Sequence, residues 1–128
     1  DETTLSVWDG RLVANCRIQG FEGRGSGARY LAWGDGRTWE GGRLWELDDP
    51  GCNARMIGSL FLHPGRVDAR AGGEIVRLTP PWEGEVRSEV VASFGRGTFG
   101  YSDATVDGDE AVVVFERDRG LWEAEARL

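Results

Sequence analysis

Residues 4–18, TLSVWDGRLVANCRI, decide the fold class of this chain. The pattern predicts a strand over residues 4–8, a two-residue turn at Asp9-Gly10 and a second strand over residues 11–18. Asp-Gly is a preferred pair for the tight turns that join antiparallel strands. Alternate residues of a strand point to opposite faces, so one side of the second strand should face a core. The side that we expect to face inward carries Leu12, Ala14, Cys16 and Ile18.

Short runs of this kind recur along the chain and are separated by glycine turns. No window of a dozen residues has the apolar spacing of an amphipathic helix. Residues 55–63 are apolar on both faces, which predicts a strand covered on both sides. Residues 20–27 are rich in glycine and are predicted to form a loop. The further predicted strands are 28–33, 38–47, 55–63, 67–71, 74–79, 85–94, 98–105, 111–116 and 121–128.

The links between these strands are short, which favours an all-β fold. We expect one domain over residues 1–128, an antiparallel up-and-down β-barrel of about 8–10 short strands. Closure of a barrel would also remove edge strands, which otherwise promote aggregation. A two-sheet β-sandwich is the alternative architecture.

The charge balance limits the partners of the protein. Its 128 residues carry 22 acidic and 15 basic side chains, giving a net charge of −7. This charge argues against nucleic acid or anionic lipid as the main partner. No run approaches the ~18 apolar residues of a membrane-spanning helix. All basic residues are arginine and none is lysine, which we attribute to a GC-rich genome of bacterial or phage origin.

Cys16 and Cys52 are the two cysteines of the sequence, and they permit one intramolecular disulfide. A bridge between them would indicate a secreted protein, whereas two free thiols would suit the cytoplasm. The sequence has no Cys-x-x-Cys motif and no cluster of cysteine and histidine. We therefore expect no metal site.

Catalytic motifs are scarce. His63 is the single histidine, and its place before the Pro64-Gly65 turn predicts a surface residue at a strand end. No Gly-x-Ser-x-Gly elbow occurs, which argues against a hydrolase with a nucleophile and a histidine base. The glycine-rich stretches are not followed by a helical pattern, so they cannot hold phosphate at a helix terminus. We therefore expect no cofactor.

Six tryptophans are a clear excess in so short a chain. Tryptophans near turns, with acids and arginines close by, are common in sites that stack on sugars or apolar rings. Small residues on the expected inward faces, such as Ala92 and Ala124, would leave room inside a barrel. The sequence therefore predicts binding of an apolar or aromatic small molecule in a Trp-lined barrel pocket. The candidate ligand-binding residues are Trp33, Trp39, Trp45 and Trp82.

Two other classes of function stay open. A cofactor-independent cyclase or isomerase needs only a shaped apolar pocket and a few hydrogen-bond donors, so enzymatic activity is left undecided. Its candidate catalytic residues would be Tyr30, Tyr101 and Glu46. The other class is a structural or protein-interaction module of the secreted, virion-surface or immunity type, whose partner is a protein or a second copy. A glycan-binding module is a variant with its tryptophans outside.

These classes differ in the interior that they require. A closed cavity of ligand size would favour the pocket functions. A filled core beside a flat apolar surface would favour the interaction module.

Overall fold

The computed structural model describes residues 2–18 and 27–128, and the regular structure of these residues is entirely β. This confirms the predicted all-β class. Of the predicted loop over residues 20–27, only Gly27 lies within the described residues. The strands are β1 Thr3–Trp8, β2 Arg11–Arg17, β3 Ala28–Gly34, β4 Trp39–Glu46, β5 Arg55–Ile57, β6 Leu60–Pro64, β7 Gly73–Leu78, β8 Ser88–Ser93, β9 Gly100–Asp107, β10 Glu110–Arg117 and β11 Gly120–Arg127.

The strands form three antiparallel sheets in which each strand pairs with its neighbours in sequence. The first sheet has the order β1-β2-β3-β4, the middle sheet β5-β6-β7-β8 and the third sheet β9-β10-β11. Since no sheet of the described residues closes on itself, the predicted up-and-down barrel is not confirmed. A sandwich-like stack of open sheets, the alternative, fits this pairing. The described part of the chain has no helix that could cross a membrane.

Strands β6 and β7 of the middle sheet are buried on both faces. In β6, Phe61 and Leu62 are adjacent and point to opposite sides, yet both are buried. Phe61 belongs to core 1, which the first and middle sheets share, and Leu62 belongs to core 2, which the middle and third sheets share. In β7, Val76 and Ile75 divide between the two cores in the same way. The double coverage predicted from the apolar run is therefore confirmed for β6.

The predicted strand over residues 55–63 is a hairpin. Gly58 has a φ of +55° and turns the chain between β5 and β6. Its N–H donates to the Ser6 hydroxyl at 2.7 Å, which ties this turn to β1. Met56 and Phe61 are cross-strand partners and share the face toward core 1. A continuous strand would have put them on opposite faces.

Two further predicted strands differ from the structure. Residues 67–71 form no strand, and Ala71 contributes a single isolated bridge to Thr98. The strand predicted over residues 85–94 starts later, at Ser88. Proline and glycine residues before it shape a loop that delays the pairing of β7 with β8.

The faces of β2 are the reverse of those predicted. Val13 and Asn15 are buried on the side of core 1, and Val13 is a member of that core. Leu12, Ala14 and Cys16 lie on the outer face of the first sheet, although Ala14 is only 4% exposed there. Ile18, which follows the end of β2, is buried. The predicted turn at Asp9-Gly10 is present, with both residues at positive φ. The turn fixes how β1 and β2 pair, but it does not fix which face of the pair turns inward.

Candidate functional site

The outer face of the first sheet has an apolar area of twelve positions without a charged group, which we call the charge-free face. Glu46, the cross-strand partner of Ala28, lies on the same side of the sheet beyond this area. Cross-strand partners lie on the same face of a sheet, so the strand register gives its composition. The face consists of three rows across the four strands, each taken from β1 to β4. They are Val7, Leu12, Gly34 and Trp39; Leu5, Ala14, Ala32 and Gly42; and Thr3, Cys16, Tyr30 and Leu44.

Large apolar side chains on this face are open to solvent. Val7 is 68% exposed, Trp39 57%, Leu5 52% and Tyr30 36%. Single exposed apolar residues are ordinary on proteins, but four on one contiguous sheet face mark an interaction surface.

Two glycines in β4 leave room for aromatic rings of β3. Tyr30 of β3 lies over Gly42 on the outer face, so closely that a Cβ at Gly42 would overlap its ring. On the opposite face, Trp33 lies over Gly41 in the same way. Each aromatic ring covers a backbone segment that carries no side chain of its own. β4 is continuous through Gly41 and Gly42, and a bulge lies between the Trp33–Gly41 and Gly34–Trp39 pairs.

The four candidate tryptophans lie in different surroundings. Trp45 is buried in core 1, with its ring edge-on to Phe61 at 5.0 Å. Trp82 is half-buried and packs against Trp8 at 5.1 Å between ring centroids. Trp33 packs against core 1, and Trp39 lies on the charge-free face. Small-molecule binding by these residues stays a prediction.

The candidate catalytic residues are divided between two sheets. Tyr30 lies in the third row of the charge-free face, while Tyr101 lies in β9 of the third sheet. Glu46, predicted to face inward, is exposed at the end of β4.

The two cysteines are free thiols: Cys16 is half-buried on the charge-free face, and Cys52 is buried in the loop before β5.

The outer face of the third sheet has the opposite character, and we call it the acidic face. Residues 100–128 contain eight acidic residues and three arginines, which accounts for −5 of the net charge of −7. Register places Val114 between Asp103 and Glu123, and Val112 between Thr105 and Glu125. This face is the kind of solvated, charged surface that keeps a protein soluble.

A group of buried charges, which sequence analysis missed, connects the first and middle sheets. His63 was predicted at the surface, but it is only 1% exposed. Its Nδ1 lies 3.0 Å from Oδ2 of Asp49, and its Nε2 lies 3.3 Å from Oε1 of Glu74, at ion-pair distance but without hydrogen-bond alignment. Asp49 Oδ2 also accepts a hydrogen bond from Arg29 at 3.2 Å. We call these four residues the buried ion network.

Backbone groups complete the surroundings of the network. The Gly51 N–H donates to Asp49 Oδ1 at 2.7 Å, and Arg29 donates to the carbonyl of Cys52. The Asp49 carbonyl accepts from the Gly27 N–H at 2.7 Å. The loop between β4 and β5 is therefore held against β3 and β6 by ionic and backbone contacts together.

The network shifts the pKa values of two of its members. Burial alone would raise the pKa of Asp49, but the hydrogen bond from His63 and the positive charge of Arg29 hold that pKa below its usual value. Burial alone would lower the pKa of His63, but the carboxylates of Asp49 and Glu74 raise it above its usual value. Both shifts favour the charged forms, in which two cations face two anions.

The buried ion network lacks the access that catalysis requires. Arg29, Asp49 and His63 are each at most 1% exposed, so a substrate has no path to the imidazole. Among the described residues, no three acidic, cysteine or histidine side chains are arranged to hold a metal ion. The network therefore acts as a structural connection between two sheets.

No known protein-family model matches this chain, and no curated protein matches it either. The buried ion network serves the packing of the sheets. Nothing in the packing requires Leu5, Val7 and Trp39 to be apolar and exposed, so the charge-free face is the stronger candidate for function.

Proposed function

We propose that this chain is a protein-interaction module whose docking surface is the charge-free face and whose partner is a second copy of the chain. The observation that carries the proposal is the contiguous exposure of Leu5, Val7, Tyr30 and Trp39 on one sheet face. The tryptophans that were candidates for a pocket support it too, since three of them, Trp33, Trp45 and Trp82, pack with core 1 instead of facing each other across a cavity.

The charge distribution favours a second copy as the occupant. Two molecules with a net charge of −7 repel each other wherever their acidic surfaces meet. The twelve positions of the charge-free face include no ionisable acid or base apart from a thiol and a phenol. Face-to-face packing of two such sheets keeps the two acidic faces on opposite sides of the dimer. An isologous dimer of this kind is also the commonest symmetric assembly.

The size of the face sets the expected affinity. Three rows on four strands cover roughly 20 by 19 Å, which is about 400 Å² for each copy. Stable complexes bury about 1,200 Å² or more in total, so a contact of about 800 Å² predicts weak, reversible association. We therefore expect a monomer at micromolar concentration and a growing dimer fraction toward millimolar concentration.

Sedimentation velocity over that concentration range tests the proposal. Val7→Glu places a charge at the most exposed position of the face and should abolish the concentration-dependent dimer. Val112→Glu makes the same change on the acidic face, where Val112 is 38% exposed, and should leave association unchanged. A wild-type protein that stays monomeric at millimolar concentration overturns the proposal. Equal loss of association in both variants would also contradict it.

Binding of an apolar or aromatic small molecule is the second candidate, and the exposed ring of Trp39 favours it. A planar ligand or a sugar ring could stack on Trp39 at the end of the charge-free face. Binding there should quench tryptophan fluorescence, and Trp39→Ala should weaken it by about tenfold. Trp33→Ala serves as the comparison, because its ring lies on the core side of the same sheet. A larger loss in Trp33→Ala would indicate an internal pocket instead.

A further inference from the structure

A depression of about 430 Å³ lies on the third sheet, away from the charge-free face. Its volume is within the range of small-ligand sites. The side chains that matter for its chemistry are Arg70, Tyr101, Glu116, Arg117, Asp118 and Arg119. Arginines are concentrated here although the sheet as a whole is acidic.

Tyr101 has an unusual backbone conformation at the edge of this depression. Its φ is +42°, and it lies in a bulge where the register of β9 against β10 shifts between Val114 and Glu116. A bulky residue at positive φ is disfavoured, and glycine would occupy the position more readily. Backbone strain of this kind is concentrated at binding and catalytic sites. The ring is 45% exposed.

Arg70 covers one side of the Tyr101 ring. Its Cζ lies 5.3 Å from the ring centroid, and its carbonyl accepts a hydrogen bond from the Phe99 N–H at 2.8 Å. Within residues 2–18 and 27–128, no carboxylate forms an ion pair with Arg70. The guanidinium is therefore positioned by an aromatic ring and keeps its hydrogen-bond donors for another group.

The turn between β10 and β11 forms the opposite wall. The Thr98 hydroxyl donates to the Asp118 carboxylate at 2.9 Å and accepts from the Asp118 N–H at 3.0 Å. Arg117 donates to the carbonyls of Thr98 and Phe94, at 3.0 and 2.7 Å. These bonds fix the turn that carries Arg119. In the described part of the chain, Arg119, like Arg70, forms no ion pair.

We propose that this depression binds a planar aromatic carboxylate. Guanidinium groups recognise carboxylates through paired, charge-assisted hydrogen bonds, which Arg70 and Arg119 can supply. The Tyr101 ring offers a flat surface for the aromatic part of the ligand. Glu116 opposes an anion, so its charge limits the affinity.

Titration with benzoate, followed by isothermal calorimetry and by NMR, tests the proposal on the whole chain. Benzoate should bind at millimolar concentration, and benzyl alcohol, which lacks the charge, should not. Arg70→Gln and Arg119→Gln should each weaken benzoate binding by about fivefold. Glu116→Gln should strengthen it. Arg96→Gln, an exposed arginine in a neighbouring turn, is the matched control and should leave binding unchanged.

Tyr101→Gly separates binding from folding. Glycine accepts the positive φ, so the variant should keep its melting temperature while losing affinity for benzoate. Absence of benzoate binding to the wild type overturns the proposal. Equal weakening by Arg96→Gln and Arg70→Gln also overturns it, because that result would show unspecific attraction by surface arginines. Neither result affects the dimer proposal, which concerns another sheet.

Discussion

The first and third sheets both cover the middle sheet, but they place their charges in opposite positions. Core 1, under the first sheet, adjoins the buried ion network, and the charge-free face lies on the outer side of this sheet. Core 2, under the third sheet, contains Phe99 and Phe115, stacked at 4.6 Å, and the outer face above it is acidic. The first sheet therefore has buried charges beside its apolar core and an apolar surface outside. The third sheet has an apolar core and a mainly acidic outer surface, on which Leu121 is 78% exposed.

The two sheets therefore contribute differently to the stability of the fold, to solubility and to interaction with a partner. The third sheet follows the usual arrangement, in which apolar burial stabilises the fold and charges contact water. The first sheet is attached to the middle sheet in part by buried ion pairs. Such pairs fix the relative position of the two sheets more than they add net stability. The outer surface of the first sheet is then open to a partner.

Asp49→Asn should have the largest effect, because it removes the anion that Arg29 and His63 share. A buried cation without its partner costs about 3–5 kcal/mol, so the free energy of unfolding should fall by that amount. Urea denaturation followed by tryptophan fluorescence measures it. Asp48→Asn, an exposed neighbour, is the control and should stay within about 0.5 kcal/mol of the wild type. Equal losses of unfolding free energy in Asp49→Asn and Asp48→Asn would show that the buried ion network contributes no more than an exposed charge.

The second prediction concerns pH. The pKa of His63 is raised in the folded protein, so its contribution is complete below the ordinary value of 6.5 and is lost as pH rises through the folded pKa. The pKa of Asp49 is lowered, so its contribution is present above 3.8 and is lost as pH falls through the folded pKa. The free energy of unfolding should therefore be highest in mild acid and decrease toward alkaline pH.

Denaturation at a series of pH values checks this sign. His63→Gln should flatten the alkaline decrease, since the titrating group is gone. Phe99→Leu weakens core 2 and should lower the whole curve without changing its slope. If the free energy of unfolding still decreases toward alkaline pH in His63→Gln, groups other than His63 cause the decrease.

The smallest effect should come from the third sheet. Arg127 lies 3.0 Å from Asp109, but both side chains are well exposed. Exposed ion pairs contribute less than about 1 kcal/mol and are screened by salt. Arg127→Gln should therefore change the free energy of unfolding by less than that, and high salt should remove the difference. A cost equal to that of Asp49→Asn would contradict the contrast between buried and exposed charge.

Tyr101 and His63 show which features of a residue local sequence can predict and which it cannot. Tyr101 was chosen for its hydroxyl group, but its strained backbone and its contact with Arg70 depend on a bulge that has no local signature. No acidic residue adjoins His63 in the sequence, and its partner Asp49 lies 14 residues earlier in the chain. The place of His63 at a strand end was correct, but the loop that covers it was not predictable from the turn beside it.

The sequence by itself determined most of the strands and turns and the double burial of β6, because these follow from alternation, glycine and apolar content over a few residues. The tertiary structure alone decided which face of β2 is inside, because a period of two is the same whichever face is buried. It also brought Arg29 to Asp49, 20 residues away in the chain. Local preferences act over a few neighbouring residues. The inner face of a strand and the ionic partner of a side chain depend instead on which sheet packs against that strand.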